Sequence, residues 1–196
     1  ALDIGTGTGV LSLMVAQRNP ELQIKSVEIE QKAFSEAATN FSNSPFQSQI
    51  QAVHADFLEI ESEHPFDLIF SNPPYFENSS KSITENRNLA RHDNSLPLPI
   101  LFKKVSSILA DNGHFWLILP HLTMDKYYPD AISNQLFPVI EFSVFGNENQ
   151  LVRKIVSFSK DKTEKIIQKL VVRNPDGTYT NEYKELTRDY HFNILK

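Results

Sequence analysis

A glycine-rich turn at the start of the chain constrains its fold more than any other feature. Three of the six glycines lie within the first nine residues, in Asp3-Ile4-Gly5-Thr6-Gly7-Thr8-Gly9. The apolar stretch 1–4 precedes this turn, and a helical pattern near 9–18 follows it. Glycine allows a sharp passage from strand to helix, and it leaves the amide groups of the helix start accessible to a ligand. The sequence therefore predicts a strand–turn–helix unit with a ligand site at the turn.

Apolar stretches and helical patterns alternate along the rest of the chain. They predict strands at 1–4, 24–29, 50–54, 66–70 and 114–119, and helices near 9–18, 31–42 and 97–110. After Pro120 they predict a helix near 123–135, a hairpin of strands 139–145 and 151–158, and a last helix near 181–190. Such alternation after a glycine-rich turn is typical of a parallel, doubly wound sheet. We therefore predict one α/β domain over 1–196, with a seven-stranded, mostly parallel, Rossmann-like sheet and a C-terminal antiparallel hairpin.

The composition excludes several kinds of site. The chain has 196 residues and no cysteine, which rules out disulfides, thiolate chemistry and cysteine zinc sites. No apolar run approaches the ~18 residues that a membrane-spanning helix needs. We expect a cytoplasmic monomer that binds no metal and no membrane. Because the chain lacks an initiator Met and opens within a strand, we also expect it to be a fragment without its true N-terminus.

An acidic residue before the glycine turn indicates which ligand the turn binds. Dinucleotide sites use G-x-G-x-x-G and leave the helix start for a pyrophosphate. Here the third glycine comes one residue earlier, and Asp3 precedes the first. A carboxylate at that place suits a ligand with a cationic group, such as an ammonium beside a sulfonium. The pattern favours S-adenosylmethionine, with a dinucleotide or a purely structural turn as alternatives.

Two further acids follow the next two strands. Glu28 ends the second strand, where a carboxylate can accept hydrogen bonds from both hydroxyls of a ribose, although a solvated strand end is the alternative. Asp56 follows the third strand and can accept from an adenine amine, with Phe57 packed beside the ring. The predicted cofactor-binding residues are Asp3, Gly5, Gly7, Gly9, Glu28, Asp56, Phe57 and Asn72.

The sequence Asn72-Pro73-Pro74-Tyr75-Phe76 directly follows the fourth strand and predicts the catalytic site. Two prolines fix the backbone and remove two donors, so the side-chain oxygen of Asn72 and the carbonyl of Pro73 can accept both hydrogens of one planar amine. This arrangement aligns the nitrogen lone pair with a sulfonium methyl group. Tyr75 offers a face on which a planar base or amide can stack. We predict Asn72, Pro73 and Tyr75 as catalytic residues; the alternative is a rigid turn that only ends the strand.

The glycine turn and the catalytic motif together resemble those of class I S-adenosylmethionine-dependent methyltransferases that modify exocyclic or amide nitrogens. More narrowly, the chain is similar to the bacterial tRNA1(Val) adenine-37 N6-methyltransferase family. Three stretches support this likeness: the motif at 72–76, the loop sequence Arg87-Asn88-Leu89-Ala90-Arg91-His92, and the ending with 176–180 and 186–190.

The resemblance extends over nearly the whole chain and implies roles for several residues. It implies that Asp3, Gly5, Glu28 and Asp56 bind the cofactor, and that 72–75 hold the target adenine. It also implies a class I methyltransferase fold and a tRNA partner. Enzymes of this family have a further N-terminal segment that helps to cover the cofactor and approach RNA, and this chain lacks it.

Basic and aromatic residues supply candidate contacts with RNA. An anticodon loop presents single-stranded bases that turn outward at low cost. The predicted substrate-binding residues are Tyr75, Phe76, Arg87, Arg91 and His92, and the alternative for the last three is ion pairing within their own loop. Residues 151–196 hold ten Lys and Arg against six Asp and Glu, in a chain whose net charge is −5. This basic tail can add phosphate contacts, although ordinary surface charge explains any one of its residues as well.

The motifs leave other functions open. The same catalytic motif serves enzymes that methylate a glutamine amide in release factors, and DNA adenine and rRNA guanine methyltransferases are further neighbours. A separate DNA-recognition domain is absent from these residues, and the basic tail favours RNA over a protein substrate. A nicotinamide-dependent oxidoreductase is disfavoured by the glycine spacing. A non-catalytic module with a decayed site is disfavoured by the intact Asp3, Asn72 and Tyr75.

Overall fold

Strands and helices alternate along the chain in a computed structural model that describes residues 1–73 and 96–190. The strands are β1 (Leu2–Ile4), β2 (Ile24–Glu28), β3 (Ile50–His54), β4 (Phe66–Ser71), β5 (Leu109–Pro120), β6 (Phe137–Phe145), β7 (Leu151–Ser159) and β8 (Ile166–Val171). The helices are α1 (Val10–Arg18), α2 (Gln31–Ser42), α3 (Leu98–Ile108), α4 (His121–Ser133) and α5 (Asn181–Thr187), with a 3-10 turn at Phe57–Glu59. Most bounds lie within two residues of the predicted ones, whereas β5 begins five residues earlier than 114.

Local chemistry fixes where the first two helices begin. Helix α1 starts after Gly9, whose φ of 86° lies in the left-handed region that glycine adopts readily. Helix α2 starts after Glu30, whose side chain accepts hydrogen bonds from the amides of Lys32 and Ala33. These bonds satisfy two donors that a helix start otherwise leaves without partners.

The sheet has eight strands in the order β3-β2-β1-β4-β5-β7-β6-β8, so the predicted count of seven is wrong. The added strand, β8, pairs in parallel with β6. Its first four residues are exposed and only Leu170 and Val171 are buried, so it lacks the alternation that identifies a half-buried strand. The predicted antiparallel hairpin is present, and its second strand, β7, lies between β5 and β6.

Helices cover both faces of the sheet. Ala16 of α1 packs in one core cluster with Ala37 and Phe41 of α2. On the other face, α3 and α4 bury a larger cluster that includes Phe102, Phe115 and Phe158, whose ring centroids lie 5.8–6.4 Å apart. Burial on both faces explains why β1, β2 and β4 are rich in apolar residues, as expected for parallel strands.

A buried acid joins α4 to the C-terminal hairpin. The carboxylate of Glu141 is 2% exposed and accepts hydrogen bonds from Tyr128 of α4 at 2.7 Å and from Lys165 at 2.8 Å. Lys154 of β7 lies 3.3 Å from it and also pairs with Asp125 of α4. Burial alone would raise the pKa of Glu141, but the bonds from Lys165, Tyr128 and Ser143 lower it to about 2.

Two searches concern the described ranges only. Within 1–73 and 96–190, no helix is long and apolar enough to cross a membrane. In the same ranges, no group of three or more His, Asp or Glu side chains is placed to hold a metal ion. The predictions of a monomeric, cytoplasmic protein stay predictions.

Candidate active site

The predicted site residues lie where four neighbouring strands end. Strands β1 to β4 are parallel, with Ile4 opposite Val27 of β2 and Ser71 of β4, and Glu28 opposite His54 of β3. The glycine turn, Glu28, Asp56 and Asn72 therefore follow these strands at one edge of the sheet. In open parallel sheets, ligands bind outside the carboxyl ends of the strands, at the point where the strand order reverses. Here that point lies between β1 and β4.

The three glycines of the turn differ in their surroundings. Gly5 and Gly7 have φ angles of 67° and 58°, and a Cβ at either position meets no described atom within 4 Å. Both therefore leave open space beside the backbone, as a bound ligand requires. At Gly9, by contrast, a Cβ would overlap the ring of Phe41. The side of Gly9 that lacks a side chain thus packs against α2.

Glu28 ties the glycine turn to the end of β2. Its Oε2 accepts a hydrogen bond from the amide of Gly7 at 2.9 Å, and its Oε1 accepts from the amide of Glu30 at 2.9 Å. Each carboxylate oxygen has a second lone pair, so both can also accept from a vicinal diol. The two backbone bonds hold the side chain, which is 8% exposed, in one orientation at the edge of the open turn.

Asp3 lies deeper than Glu28, beneath the turn. It is 1% exposed, and its Oδ2 accepts from the hydroxyls of Thr6 and Ser12, both at 2.6 Å. Its Oδ1 makes no hydrogen bond to the described residues. Burial raises the pKa of Asp3 to about 6, because the hydroxyl bonds only partly compensate the lost hydration and the charge of Glu28 adds repulsion.

The polar group beneath the turn includes residues that the sequence reasoning missed. Ser12 of α1 lies 2.7 Å from the hydroxyl of Ser26 on β2, and both side chains are fully buried with Asp3 and Thr6. A small hydroxyl residue within an apolar strand, as in Lys25-Ser26-Val27, is the signal that could have indicated a buried polar partner.

Asp56 and Phe57 both have structural contacts at the end of β3. The Asp56 carboxylate accepts from the amide of Leu58 at 2.9 Å and begins the 3-10 turn. Phe57 is 5% exposed in the main core cluster, so it offers a bound ring little of its surface. His54 was given no role, and its ring stacks on Phe34 at a centroid distance of 5.1 Å.

Asn72 and Pro73 follow β4 directly. Asn72 is exposed, Pro73 is half-buried, and the hydroxyl of Ser71 donates to the carbonyl of Ile4 at 2.8 Å. This bond joins the start of the catalytic motif to the start of the glycine turn. The predicted residues Tyr75, Phe76, Arg87, Arg91 and His92 lie outside the described residues.

Known proteins of two kinds are similar to the chain. A family model described as "Methyltransferase small domain" matches residues 1–136. The "tRNA1(Val) (adenine(37)-N6)-methyltransferase" of Christiangramia forsetii is 37% identical, with 98% of this chain and 82% of the relative covered. The protein of the same name from a Shewanella species is 36% identical, with 98% and 84% covered.

Solved structures share the fold at low identity. A predicted O-methyltransferase from Agrobacterium tumefaciens has a TM-score of 0.67 at 16% identity, with 98% of this chain and 91% of that chain covered. A glycopeptide N-methyltransferase solved with (S)-adenosyl-L-methionine has a TM-score of 0.59 at 11% identity, with 81% and 85% covered.

The sheet order, the glycine turn and these structural neighbours together define a methyltransferase with the Rossmann-like class I fold, which confirms the predicted fold class. The matches in sequence are narrower. At 37% identity over 98% of its length, the chain belongs to the tRNA1(Val) (adenine(37)-N6)-methyltransferase family, and the resemblance noted in its motifs is confirmed.

Proposed function

We propose that this chain transfers a methyl group from S-adenosylmethionine to the N6 amine of adenine 37 in tRNA1(Val). The observation that supports this most strongly is the register of β1, β2 and β4, which places the glycine turn and Glu28 beside Asn72 and Pro73. Glu28 and Asn72 follow strands on either side of β1, two strand spacings or about 10 Å apart. The names of the relatives supply the substrate and the position.

The residues of the turn fit S-adenosylmethionine. Gly5 and Gly7 leave open space beside the backbone, and Glu28 has a lone pair on each oxygen for the ribose hydroxyls. Oδ1 of Asp3 is available for a cationic group, which stabilises the ionised carboxylate that burial destabilises. Gly9, Asp56 and Phe57 support this site mainly by shaping the backbone around it. S-adenosylmethionine, when bound, supplies an electrophilic methyl group on a sulfonium.

Asn72 and Pro73 are the residues that we assign to the methyl transfer itself. The side-chain oxygen of Asn72 and the carbonyl of Pro73 accept the two hydrogens of the adenine amine. They orient the nitrogen lone pair and stabilise the positive charge that develops on the nitrogen during transfer. Tyr75 stacks on the adenine in this proposal, and the proton is lost to solvent after transfer.

The substrate loop supplies the remaining contacts. Position 37 lies in an anticodon loop, where a base leaves its neighbours at lower cost than in a duplex. We assign Phe76, Arg87, Arg91 and His92 to contacts with the flanking nucleotides, on the basis of their place in the sequence after the catalytic motif.

Methylation of a glutamine amide in a protein is the second candidate, because glutamine presents the same planar NH2 group to Asn72 and Pro73. A labelled-methyl assay separates the two. The chain would be incubated with labelled S-adenosylmethionine and, in parallel, with unmodified tRNA1(Val) transcript, total cell protein and DNA. Digestion of the tRNA and separation of its nucleosides by mass identify the product.

N6-methyladenosine at position 37 is the expected product, and a transcript with guanosine at position 37 is the matched control that should stay unlabelled. Label in protein alone would replace the tRNA assignment by glutamine methylation, with the same roles for Asn72 and Pro73. Cofactor binding without transfer to any acceptor would contradict both assignments.

A further inference from the structure

The C-terminal strands extend past the edge at which the site lies. Strands β4, β5, β6 and β8 point the same way, and successive register pairs put Ile167 of β8 level with Ser71 of β4; the pairs are Ser71↔Leu117, Leu117↔Val156, Val156↔Glu141 and Glu141↔Ile167. Arg173 comes six residues after Ile167, so it lies on the substrate side of the edge. At ~3.3 Å per residue and ~4.8 Å per strand, its backbone lies about 20 Å beyond Ser71 in height and about 19 Å to the side.

An arginine–tyrosine stack stands at this projecting end. The guanidinium carbon of Arg173 lies 4.4 Å from the ring centroid of Tyr179, and the ring of Tyr183 stacks on Tyr179 at 5.0 Å with an interplanar angle of 23°. We call these three residues the Arg173 stack. Tyr179 and Tyr183 are half-buried, whereas Arg173 is exposed and forms the outer layer.

A tight hairpin holds Arg173 in place. Arg173 forms an isolated antiparallel bridge with Tyr179, and its side chain donates to the carbonyl of Gly177 at 2.8 Å and to the Tyr179 hydroxyl at 3.2 Å. The hydroxyl of Thr180 donates to the carbonyl of Val171 at 2.6 Å, which fixes the hairpin to the end of β8. The guanidinium is therefore oriented before any ligand binds, which reduces the entropy cost of binding.

The chemistry of this stack suits a nucleotide. The two hydrogen bonds use two of the five N–H donors of the guanidinium, and in the described part of the chain Arg173 forms no ion pair. A planar, exposed guanidinium stacks on a base and donates to phosphate oxygens. Ten basic against six acidic residues in 151–196 give this part of the chain the charge that attracts a polyanion.

We propose that the Arg173 stack binds a nucleotide of the RNA substrate outside the target adenine, and so positions the RNA against the projecting end of β6 and β8. This inference rests on the proposed function, since it needs an RNA at the site. It gives the C-terminal sequence 173–183 a role in recognition that its distance from the catalytic motif conceals.

The test compares charge-matched variants of the whole chain on unmodified tRNA1(Val) transcript. Arg173→Ala should raise KM for tRNA about tenfold, while kcat at saturating tRNA and KM for S-adenosylmethionine stay within about twofold. The slope of log KM against log salt should fall by about one. Arg173→Lys keeps the charge but loses the planar group, and should raise KM at least about threefold.

Lys162→Ala is the matched control, because it removes the same charge from an exposed residue that precedes β8 at the opposite edge of the sheet. It should leave KM within about twofold of the wild type. An Arg173→Ala effect no larger than that of Lys162→Ala overturns the proposal, as does full activity of Arg173→Lys. A loss of thermal stability with equal weakening of tRNA and S-adenosylmethionine binding would assign the stack a structural role instead. Absence of transfer by the wild type would refute the proposed function and not this inference alone.

Discussion

Asp3 and Glu28 follow neighbouring strands, yet their carboxylates have different surroundings. Glu28 accepts two backbone amides at the open edge of the turn, whereas Asp3 is buried and accepts two hydroxyls through one oxygen. A buried carboxylate with so few donors is costly for the free protein. In our proposal a cationic ligand group offsets this cost, so the protein gives up stability for cofactor affinity at a single residue.

The cost at Asp3 can be measured as pH dependence. Its pKa is about 6 in the folded protein against 3.8 ordinarily, so the folded state retains a proton that the unfolded state has lost, and stability falls as pH rises from about 4 to 6. Above pH 6, Asp3→Asn should stabilise the unliganded protein by up to about 3 kcal/mol and should flatten this part of the curve. Urea unfolding between pH 4 and 8 measures both effects.

The same substitution should weaken S-adenosylmethionine binding at least about tenfold in calorimetry, since Asn lacks the charge that pairs with the ligand. Wild-type affinity should also decline below pH 6 as Asp3 takes up a proton. Unchanged affinity in Asp3→Asn would remove Asp3 from the ligand site.

Asn72 should affect turnover rather than cofactor binding. Asn72→Ala removes an acceptor whose interaction is strongest when charge develops on the amine, so kcat should fall about 10²-fold or more while the Kd of S-adenosylmethionine changes little. Single-turnover transfer and calorimetry separate the two quantities. Retention of most of the activity would show that another group orients the amine.

At the scale of elements, the turn between β1 and α1 uses its glycines for two purposes. Gly5 and Gly7 leave room for a ligand, whereas Gly9 lets α1 begin against Phe41 of α2. The spacing of the third glycine thus reflects the packing of two helices, and the sequence alone did not separate this reason from ligand contact.

Matched alanine substitutions distinguish the two purposes. Gly9→Ala combines a strained φ with overlap of the Phe41 ring and should lower the free energy of unfolding by about 2–4 kcal/mol. Gly7→Ala has open space, so its cost should be only about 1–2 kcal/mol, but it should weaken cofactor binding. Denaturant unfolding and calorimetry on both variants measure this. Equal loss of stability in the two would contradict the assignment.

The hairpin of β6 and β7 depends on the buried Glu141. Because its pKa is about 2, below the ordinary 4.5, its contribution to stability is complete above about pH 4.5 and is lost as pH falls towards 2. Glu141→Gln should lower thermal stability at pH 7, where it leaves Lys154 and Lys165 without a buried charge partner, and should flatten the acid part of the curve. Glu148→Gln removes only an exposed pair with Lys169 and is the control that should keep the wild-type profile. A Glu141→Gln profile that matches the wild type would show that the network is not stabilising.

At the scale of the whole molecule, ligand binding at one edge should stabilise the entire sheet, because β1 lies in its centre region between β2 and β4. S-adenosylhomocysteine at a hundred times its Kd should add about 2.7 kcal/mol, which corresponds to a rise in Tm of about 5–10 °C for a chain of this size. Thermal unfolding with NADH at the same concentration is the control. A larger shift with NADH would restore the dinucleotide alternative.

The sequence by itself determined the local elements and the ends of the strands where chemistry occurs. Hydrophobic periodicity, the glycine turn and the paired prolines are local signals, so they identified β1 to β7, all five helices and the positions of Glu28 and Asn72. The tertiary structure decided what depends on neighbours distant in sequence. Only the fold placed β7 between β5 and β6, added β8 through pairing with β6, buried Asp3 among hydroxyls of α1 and β2, and filled the space beside Gly9 with Phe41. Burial, hydrogen-bond partners and strand order arise from contacts between remote segments, and no local pattern in the chain encodes them.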